Sequence, residues 1–314
     1  ASDVYKRQAH AGRYALLRLN QRAGGAQQPR FLRLDVKSLP LDAGISGPLQ
    51  QAIRQTLEAG QQVLVFLNRR GFAPTLLCHD CGWISQCPRC DARMTLHQRH
   101  NELRCHHCGH VERAPRNCPE CNQVDLRPVG AGTERAEERL ALLFPQFPVL
   151  RIDRDSTSRK GAMDKLFATI SKGEPCILVG TQMLAKGHHF PRVTLVAILD
   201  ADGGLFSADF RASERMAQLT VQVAGRAGRA EEPGKVIIQS HLADHPLLVQ
   251  LTEQGYPAFA EQALSERRGA GLPPFAHLAL LRGEAHKPGQ AEAFLDDACT
   301  SVSYTHLRAH ETRG

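Results

Sequence analysis

Short apolar runs recur along the chain and alternate with segments of helical spacing. The runs are rich in β-branched and aliphatic residues, which predicts buried strands at 62–68, 148–153, 176–180, 193–200 and 235–239. Between these runs, the spacing of apolar residues predicts helices at 133–144, 159–171 and 212–225. Strands that alternate with helices form a parallel sheet covered on both faces, so the predicted fold class is α/β.

Two loops of this predicted sheet carry residues suited to phosphate chemistry. In such sheets functional residues gather at the carboxyl ends of the strands, where GTQMLAKGHHF (180–190) supplies a glycine, a hydroxyl, an amide and a lysine. The second loop, QVAGRAGR (222–229), presents Arg226 and Arg229 beside glycines, as suits the γ-phosphate of a nucleotide held by a neighbouring domain. Each segment alone is a weak signal, because a Gly/Arg loop is often a solvated turn. The two segments together, at successive strand ends of one sheet, are a specific signal for a phosphate-directed site.

Eight of the ten cysteines form four Cys-x-x-Cys pairs, at 78/81, 87/90, 105/108 and 118/121. Two residues between ligands let a tight turn aim both sulfurs at one tetrahedral ion, so four pairs predict two closed zinc sites. A disulfide framework would require an oxidising compartment, for which the chain has no signal, and a redox motif would explain one pair only.

Spacing favours a nested grouping of these pairs. Cys90 and Cys105 are separated by fourteen residues, close to the spacing of a zinc ribbon, whereas the five residues between Cys81 and Cys87 are cramped. The predicted sites are therefore Cys87, Cys90, Cys105 and Cys108 on one ion and Cys78, Cys81, Cys118 and Cys121 on the other; an interleaved grouping remains open.

Charge argues against this segment as a phosphate-gripping patch. With two ions bound, residues 78–121 carry about −3 by simple charge counting. We expect a rigid wedge or docking surface instead, on which Trp83 either stacks on a base or packs against the zinc turns.

Composition limits the classes of protein that the chain can belong to. It has 314 residues, 42% of them hydrophobic, and a formal net charge of +7, which permits a polyanionic partner without establishing one. The longest apolar run has seven residues (193–199), against the ~20 that span a bilayer, and no signal-peptide stretch begins the chain. We therefore expect a cytoplasmic protein that does not enter a membrane.

Both ends of the chain differ in character from the rest. Residues 1–10 and 301–314 resemble read-through of sequencing adapters, so we expect a non-native leader, a non-native tail and a chain that is a fragment.

Several segments together resemble one family. FLNRRGFAP, the four cysteine pairs, IDRDSTSRKGA, GTQMLAKGHHFP, LFSADFRASER and QVAGRAGRA follow the order found in the PriA family, the primosomal replication-restart helicases (primosomal protein N′) of superfamily 2. The resemblance runs from about Tyr14 to about Phe294. It implies a RecA-like second helicase lobe at 61–77 and 122–272, interrupted by the two-zinc insertion at 78–121. Residues 11–60 would end the first lobe and connect to the second, and 273–300 would begin a truncated C-terminal DNA-binding domain.

The resemblance also implies roles for individual residues. The motif VI residues that reach the nucleotide would be Gln222, Arg226 and Arg229, with Arg229 in the arginine-finger position. The motif V residues that couple the DNA backbone to ATP would be Gly180, Thr181 and Gln182, with Lys186 in the same loop. The eight paired cysteines match the family's two zinc sites in the nested grouping.

The implied function is that of an ATP-dependent DNA helicase. Family members move 3′ to 5′, bind branched forks and single-stranded DNA, and initiate replication restart. Their implied partners are primosome proteins, the loader of the replicative helicase and the single-stranded DNA-binding protein. The implied cofactors are two Zn²⁺, with ATP and Mg²⁺ bound mainly by the missing lobe.

The sequence departs from the family pattern in one respect. It contains no G-x-x-x-x-G-K-[ST] loop and no Asp-Glu pair, so we expect that this chain alone does not hydrolyse ATP. Asp200 and Asp202 end a strand as Mg²⁺ ligands do, but they follow motif V, so we do not expect them to bind Mg²⁺. Two alternatives remain, a non-catalytic zinc-binding adaptor and another superfamily 2 translocase with a zinc insertion. Arg226 and Arg229 argue against the adaptor.

Overall fold

The computed structural model describes most of the chain between residues 29 and 303. The described residues are 12–15, 29–67, 75–90, 93–98, 100–105, 108–128, 136–152, 162–181, 190, 192–205, 210–227, 233–277, 285 and 289–303. Within these ranges, no helix is both long enough and apolar enough to cross a membrane.

The described elements are thirteen strands and eight helices. The strands are β1 (Arg30–Asp35), β2 (Leu41–Asp42), β3 (Ile45–Ser46), β4 (Gln62–Leu67), β5 (Leu76–Cys78), β6 (Thr95–His97), β7 (Glu102–Arg104), β8 (Val111–Arg113), β9 (Leu126–Pro128), β10 (Val149–Ile152), β11 (Ile177–Gly180), β12 (Val193–Leu199) and β13 (Lys235–Ser240). The helices are α1 (Gly47–Glu58), α2 (Ala136–Leu143), α3 (Ala162–Ser171), α4 (Asp202–Leu205), α5 (Ala212–Ala224), α6 (Pro246–Glu253), α7 (Tyr256–Gly269) and α8 (Gln290–Ser303).

A six-stranded parallel sheet organises the lobe, in the order β1-β13-β12-β4-β11-β10. All five strands predicted from apolar runs are present to within one residue at each end, and they lie side by side. The three predicted helices are present as α2, α3 and α5, although residues 133–135 and 159–161 lie outside the described ranges. The α/β prediction is therefore confirmed.

Strand β4 shows why the sheet is covered on both faces. Its side chains alternate, so that Leu64 and Phe66 join one buried cluster while Val63, Val65 and Leu67 join another. Helices α3, α5 and α6 contribute to the first cluster, and α1 and α2 contribute to the second. Because neither face meets water, the strand is apolar from Val63 to Leu67, which is what made it visible in the sequence.

The amino-terminal described segment belongs to this same sheet. Residues 11–60 were predicted to end a preceding lobe, but β1 pairs in parallel with β13 at the sheet edge and α1 packs on one face. The Gln239 side chain accepts hydrogen bonds from the Ser46 backbone and hydroxyl (3.0 and 2.7 Å) and donates one to the Gly44 carbonyl (2.7 Å). The half-exposed β1 pattern does not specify its partner strand, so only the folded structure reveals this pairing.

The cysteine-rich segment leaves the sheet after β4 and returns before α2. Strands β5 and β9 pair antiparallel at its base, from Leu76 with Pro128 to Cys78 with Leu126, so the insertion includes residues on both sides of the predicted 78–121. Its distal part contains the three-stranded antiparallel sheet β6-β7-β8. The predicted insertion into an α/β lobe is thus what the structure contains.

Candidate metal centres and the carboxyl edge of the sheet

The eight paired cysteines form two separate groups of four. The first cluster is Cys78, Cys81, Cys118 and Cys121, and the second cluster is Cys87, Cys90, Cys105 and Cys108. The Sγ atoms of each cluster all lie within 4.8 Å of one another. This grouping matches the nested arrangement and not the interleaved one.

Sulfur distances suit a tetrahedral ion better than a disulfide. The closest contacts are 3.6 Å for Cys78–Cys121 and Cys81–Cys118 in the first cluster. In the second cluster, Cys87–Cys108 and Cys90–Cys105 are each 3.4 Å apart. Four sulfurs at about 2.3 Å from a central zinc lie about 3.8 Å apart, whereas a disulfide requires about 2.05 Å. All eight thiols are free, so the residues present fit a Cys₄ zinc site in each cluster.

The thiols of the first cluster differ in acidity: burial raises the pKa of Cys78, whereas backbone and side-chain hydrogen bonds outweigh burial and lower the pKa of Cys118. Desolvation, followed by hydrogen bonds from the neighbouring cysteine side chains, raises the pKa of Cys81 to about 12. The metal-free sulfur is therefore a neutral thiol at neutral pH. Zn²⁺ binds the thiolate form, and its charge would stabilise that form at this position.

Three of the Cys-x-x-Cys turns (the knuckles) have a residue in the left-handed conformation directly after the second cysteine. Gly82, Gly109 and Asn122 have φ values of +81°, +72° and +60°. Their backbone N–H groups donate to the carbonyls of the first cysteine of each pair, at 2.9 to 3.0 Å. Glycine and asparagine adopt this conformation at little cost, so residue type and turn geometry agree.

Gly82 also allows the first cluster to approach the lobe closely. A Cβ at this position would lie 3.2 Å from the Lys37 side chain, 3.3 Å from the His241 carbonyl oxygen and 3.3 Å from the Leu242 side chain. A Cβ at Gly109 would meet nothing within 4 Å. The first cluster is therefore pressed against the β13–α6 connection, while the Gly109 turn has open space.

Gly82→Ala and Gly109→Ala form a matched pair that separates the cost of a side chain at positive φ from the cost of the close contact with the lobe. Both introduce a Cβ at positive φ, which should cost about 1–2 kcal/mol. Gly82→Ala should cost a further 1–3 kcal/mol or so, because the new methyl group must displace backbone of the β13–α6 connection. Denaturant unfolding of the metal-loaded chain measures the difference. Equal destabilisation by the two variants would contradict a close contact at Gly82.

A buried chain of hydrogen bonds connects the first cluster to the carboxyl edge of the sheet. His79, between two cysteines of the first cluster, contacts Nε2 of His241 through Nδ1 at 2.8 Å, although 162 positions separate the two residues. His79 Nε2 contacts the Leu39 carbonyl at 2.9 Å. At the other end, Asp202 accepts from His241 Nδ1 (2.7 Å), the His241 backbone N–H (2.9 Å) and the Ser240 hydroxyl (2.5 Å).

The two ends of this chain determine where its protons lie. A carboxylate and a carbonyl both accept, so His241 Nδ1 and His79 Nε2 are the donors at the two ends of the chain. Desolvation is the largest cause of the lowered pKa of His79, which favours its neutral form. The neutral tautomer of His79 that donates from Nε2 leaves Nδ1 as an acceptor toward His241.

The hydrogen bonds of Asp202 thus give its carboxylate a structural role. Its side chain is 3% exposed, and both oxygens accept hydrogen bonds. The Asp200 carboxylate accepts from the Gly203 backbone N–H at 3.2 Å. These contacts commit Asp202 to the end of β13, while the expectation that the two aspartates do not bind Mg²⁺ stays a prediction.

The second cluster is held by a small core of its own. Met94, Leu96 and Leu103 of the distal sheet pack with Cys87 and Cys105, and Leu76, Ala114 and the half-buried Trp83 join them. All members of this core come from the insertion. Of the two roles considered for Trp83, these contacts favour packing.

The predicted nucleotide and DNA residues are only partly described. Gly180 ends β11 and is buried, and Thr181 follows at the carboxyl edge, whereas Gln182 and Lys186 lie outside the described residues. Gln222 is exposed near the end of α5, and half-buried Arg226 lies in the following turn, held by hydrogen bonds from Arg226 N to Val223 O and from Ala227 N to Ala224 O. Arg229 also lies outside the described residues. Whether the 180–190 and 222–229 loops face one cleft therefore stays a prediction.

Sequence patterns did not identify His79 and His241 as interacting residues. The Cys-His-Asp-Cys turn contained the only available signal for His79, a polar aromatic side chain between two ligands. His241 lies in a connection with no motif. A hydrogen bond between single residues far apart in sequence leaves no periodic trace.

Comparisons with known proteins agree with this architecture. A family model described as the PriA DNA helicase Cys-rich region (CRR) domain matches residues 87–113, and one described as the helicase conserved C-terminal domain matches residues 129–231. The Replication restart protein PriA of Haemophilus influenzae is 53% identical over 281 residues, covering 90% of this chain. The protein of the same name from Bacillus subtilis is 42% identical over 277 residues, covering 87% of this chain. The chain spans 38% and 34% of the lengths of these two relatives.

Among solved structures, S. cerevisiae Dbp5 L327V bound to RNA and ADP BeF3 matches 96% of this chain and 52% of its own, with 13% identity and a TM-score of 0.34. This likeness is too distant to bear on the fold.

Proposed function

This chain belongs to the PriA family of replication restart proteins, and on that basis we propose that it forms the second lobe of an ATP-dependent 3′–5′ DNA helicase that acts at branched forks. The observation that carries the proposal is the position of the two Cys₄ clusters. Both lie in an insertion that follows β4, one of the two central strands of the parallel sheet. The match of residues 129–231 to a helicase C-terminal domain supports the same assignment for the part of the sheet formed by β10, β11 and β12.

In the proposed motor, this lobe acts on a nucleotide that another lobe holds. Bound ATP and Mg²⁺ supply the phosphoryl group and a divalent charge, and the present chain supplies Gln222, Arg226 and Arg229. Guanidiniums stabilise the negative charge that develops on transferring phosphoryl oxygens. Gly180, Thr181, Gln182 and Lys186 would follow the DNA backbone and couple its position to the nucleotide.

The two clusters would hold one Zn²⁺ each. Eight thiolates satisfy two tetrahedral ions with no open position, so these ions would act structurally. The proposed partners are DNA forks and single-stranded DNA, with primosome proteins, the loader of the replicative helicase and the single-stranded DNA-binding protein. We propose the cytoplasm as the location.

One experiment tests the proposed motor role. The purified 314-residue chain should show no DNA-stimulated ATP hydrolysis, because its sequence has no phosphate-binding loop. A chimera in which its 281 matching residues replace the corresponding segment of the Haemophilus influenzae relative should hydrolyse ATP when fork DNA is added.

The outcomes separate the alternatives. ATP hydrolysis by the purified chain would refute the proposed division between lobes. A folded, zinc-loaded chimera without DNA-stimulated ATP hydrolysis would favour the non-catalytic adaptor. A chimera that hydrolyses ATP on duplex DNA but shows no response to forks would favour another superfamily 2 translocase.

A further inference from the structure

The two clusters differ in how they connect to the lobe. Three layers of contact hold the first cluster against the carboxyl edge. They are the His79–His241–Asp202 chain, the close approach of Gly82 to His241 and Leu242, and an apolar cluster of Leu77 and Ile84 with Leu205 and Leu242. The backbone N–H of Ser38 adds a hydrogen bond to the His79 carbonyl at 3.0 Å. Among the described residues, the apolar core around the second cluster uses residues of the insertion alone, and its link to the lobe is electrostatic: burial and, after it, the charge of Arg93 lower the pKa of His245 in the β13–α6 connection.

The contacts of the first cluster reach the carboxyl ends of β12 and β13 in the main sheet. Asp202 begins α4, directly after the central strand β12, and Ser240 ends β13. His241 therefore connects the ends of two neighbouring strands to the Cys78–Cys81 turn, the first knuckle. Exposed fractions are 13% for the His241 side chain and 3% for Asp202, so water competes little for these hydrogen bonds.

We propose that His79 and His241 are positioning residues that couple metal binding at the first cluster to the β12–α4 and β13–α6 connections of the lobe, while the second cluster binds its metal independently of them. The proposal relies on the proposed zinc sites. Its physical basis is reciprocity: if the metal orders the knuckle that His241 contacts, then His241 must stabilise the metal by the same free energy.

His241→Asn cuts this link at a single point. The asparagine amide can still donate to Asp202 from about the position of Nδ1, but it is too short to reach His79. In the full chain loaded with Zn²⁺, we expect one of the two ions to transfer to a chromogenic chelator at least tenfold faster than in the wild type. Pulse alkylation with mass spectrometry should assign the fast phase to the first cluster, Cys78, Cys81, Cys118 and Cys121.

Gln62→Ala is the matched control. Gln62 is also a buried polar residue of this sheet, but it donates to the carbonyls of Ile170 and Glu174 at the opposite edge. It should destabilise the lobe without changing the release of either ion selectively. Equal release of both ions from the His241→Asn chain, or no change in either, would overturn the proposal.

A reciprocal measurement covers the case in which the histidine variant does not fold. Hydrogen exchange of peptides spanning 199–205 and 239–248 should accelerate in Cys118→Ser and stay unchanged in Cys105→Ser. Acceleration in both variants, or in neither, would contradict the coupling. A wild-type chain that binds fewer than two ions would instead refute the proposed zinc sites.

Discussion

Cys118→Ser and Cys105→Ser should each reduce the metal content of the chain from two zinc ions to one. Each substitution removes one of four thiolates from a closed site, and structural zinc sites contribute about 10–16 kcal/mol of apparent binding free energy. That free energy is available only to the folded insertion, so its loss should unfold the region around the affected cluster. Elemental analysis measures the stoichiometry, and circular dichroism with limited proteolysis measures the unfolding.

The two cysteines outside the clusters provide controls. Cys299 lies in α8, apart from both groups, so Cys299→Ser should retain two ions. Cys176 is buried in the main core, and burial raises the pKa of its thiol to about 11. It should remain a neutral thiol that binds no metal. A wild-type content of one ion, or two ions retained in Cys118→Ser, would refute the grouping.

In the active chimera, Arg229→Ala should lower the ATP turnover number by about 10³-fold or more, the effect expected of an arginine finger. Arg226→Ala should also lower turnover, because Arg226 lies three positions before Arg229 in the same loop. Nucleotide affinity should change much less, since the charge that these side chains stabilise develops in the transition state. Arg229→Lys should recover little, because an ammonium group does not reproduce the bidentate geometry of guanidinium. Steady-state kinetics with fork DNA separates turnover from affinity.

Arg215→Ala serves as the comparison variant for these arginines. Arg215 is exposed on α5, so its loss removes the same type of charge from the helix that precedes the loop. Its turnover should stay within a few-fold of the unmodified chimera. If Arg229→Ala lowers turnover less than tenfold, the arginine-finger role is wrong.

Much of the lobe could be predicted because its strands are buried on both faces. Strands such as β4, β11 and β12 are apolar at almost every position, and that run is visible without knowledge of the fold. Loop lengths favoured the nested grouping of the cysteines, and the positions of the sulfur atoms in the folded chain agree with it. Strand β1 was not predicted, because an edge strand alternates apolar and charged residues and its pairing depends on β13.

The amino-acid sequence by itself predicted the parallel α/β class and the eight paired cysteines of two metal sites, and it favoured the nested grouping without excluding the interleaved one. These features arise from short-range spacing, which the chain carries wherever it folds. Only the tertiary structure decided that the first cluster is anchored to the lobe while the second has a core of its own. That difference depends on His79, His241 and Asp202, single residues far apart in the chain, whose contact exists only after β12 and β13 bring their carboxyl ends together beside the first knuckle.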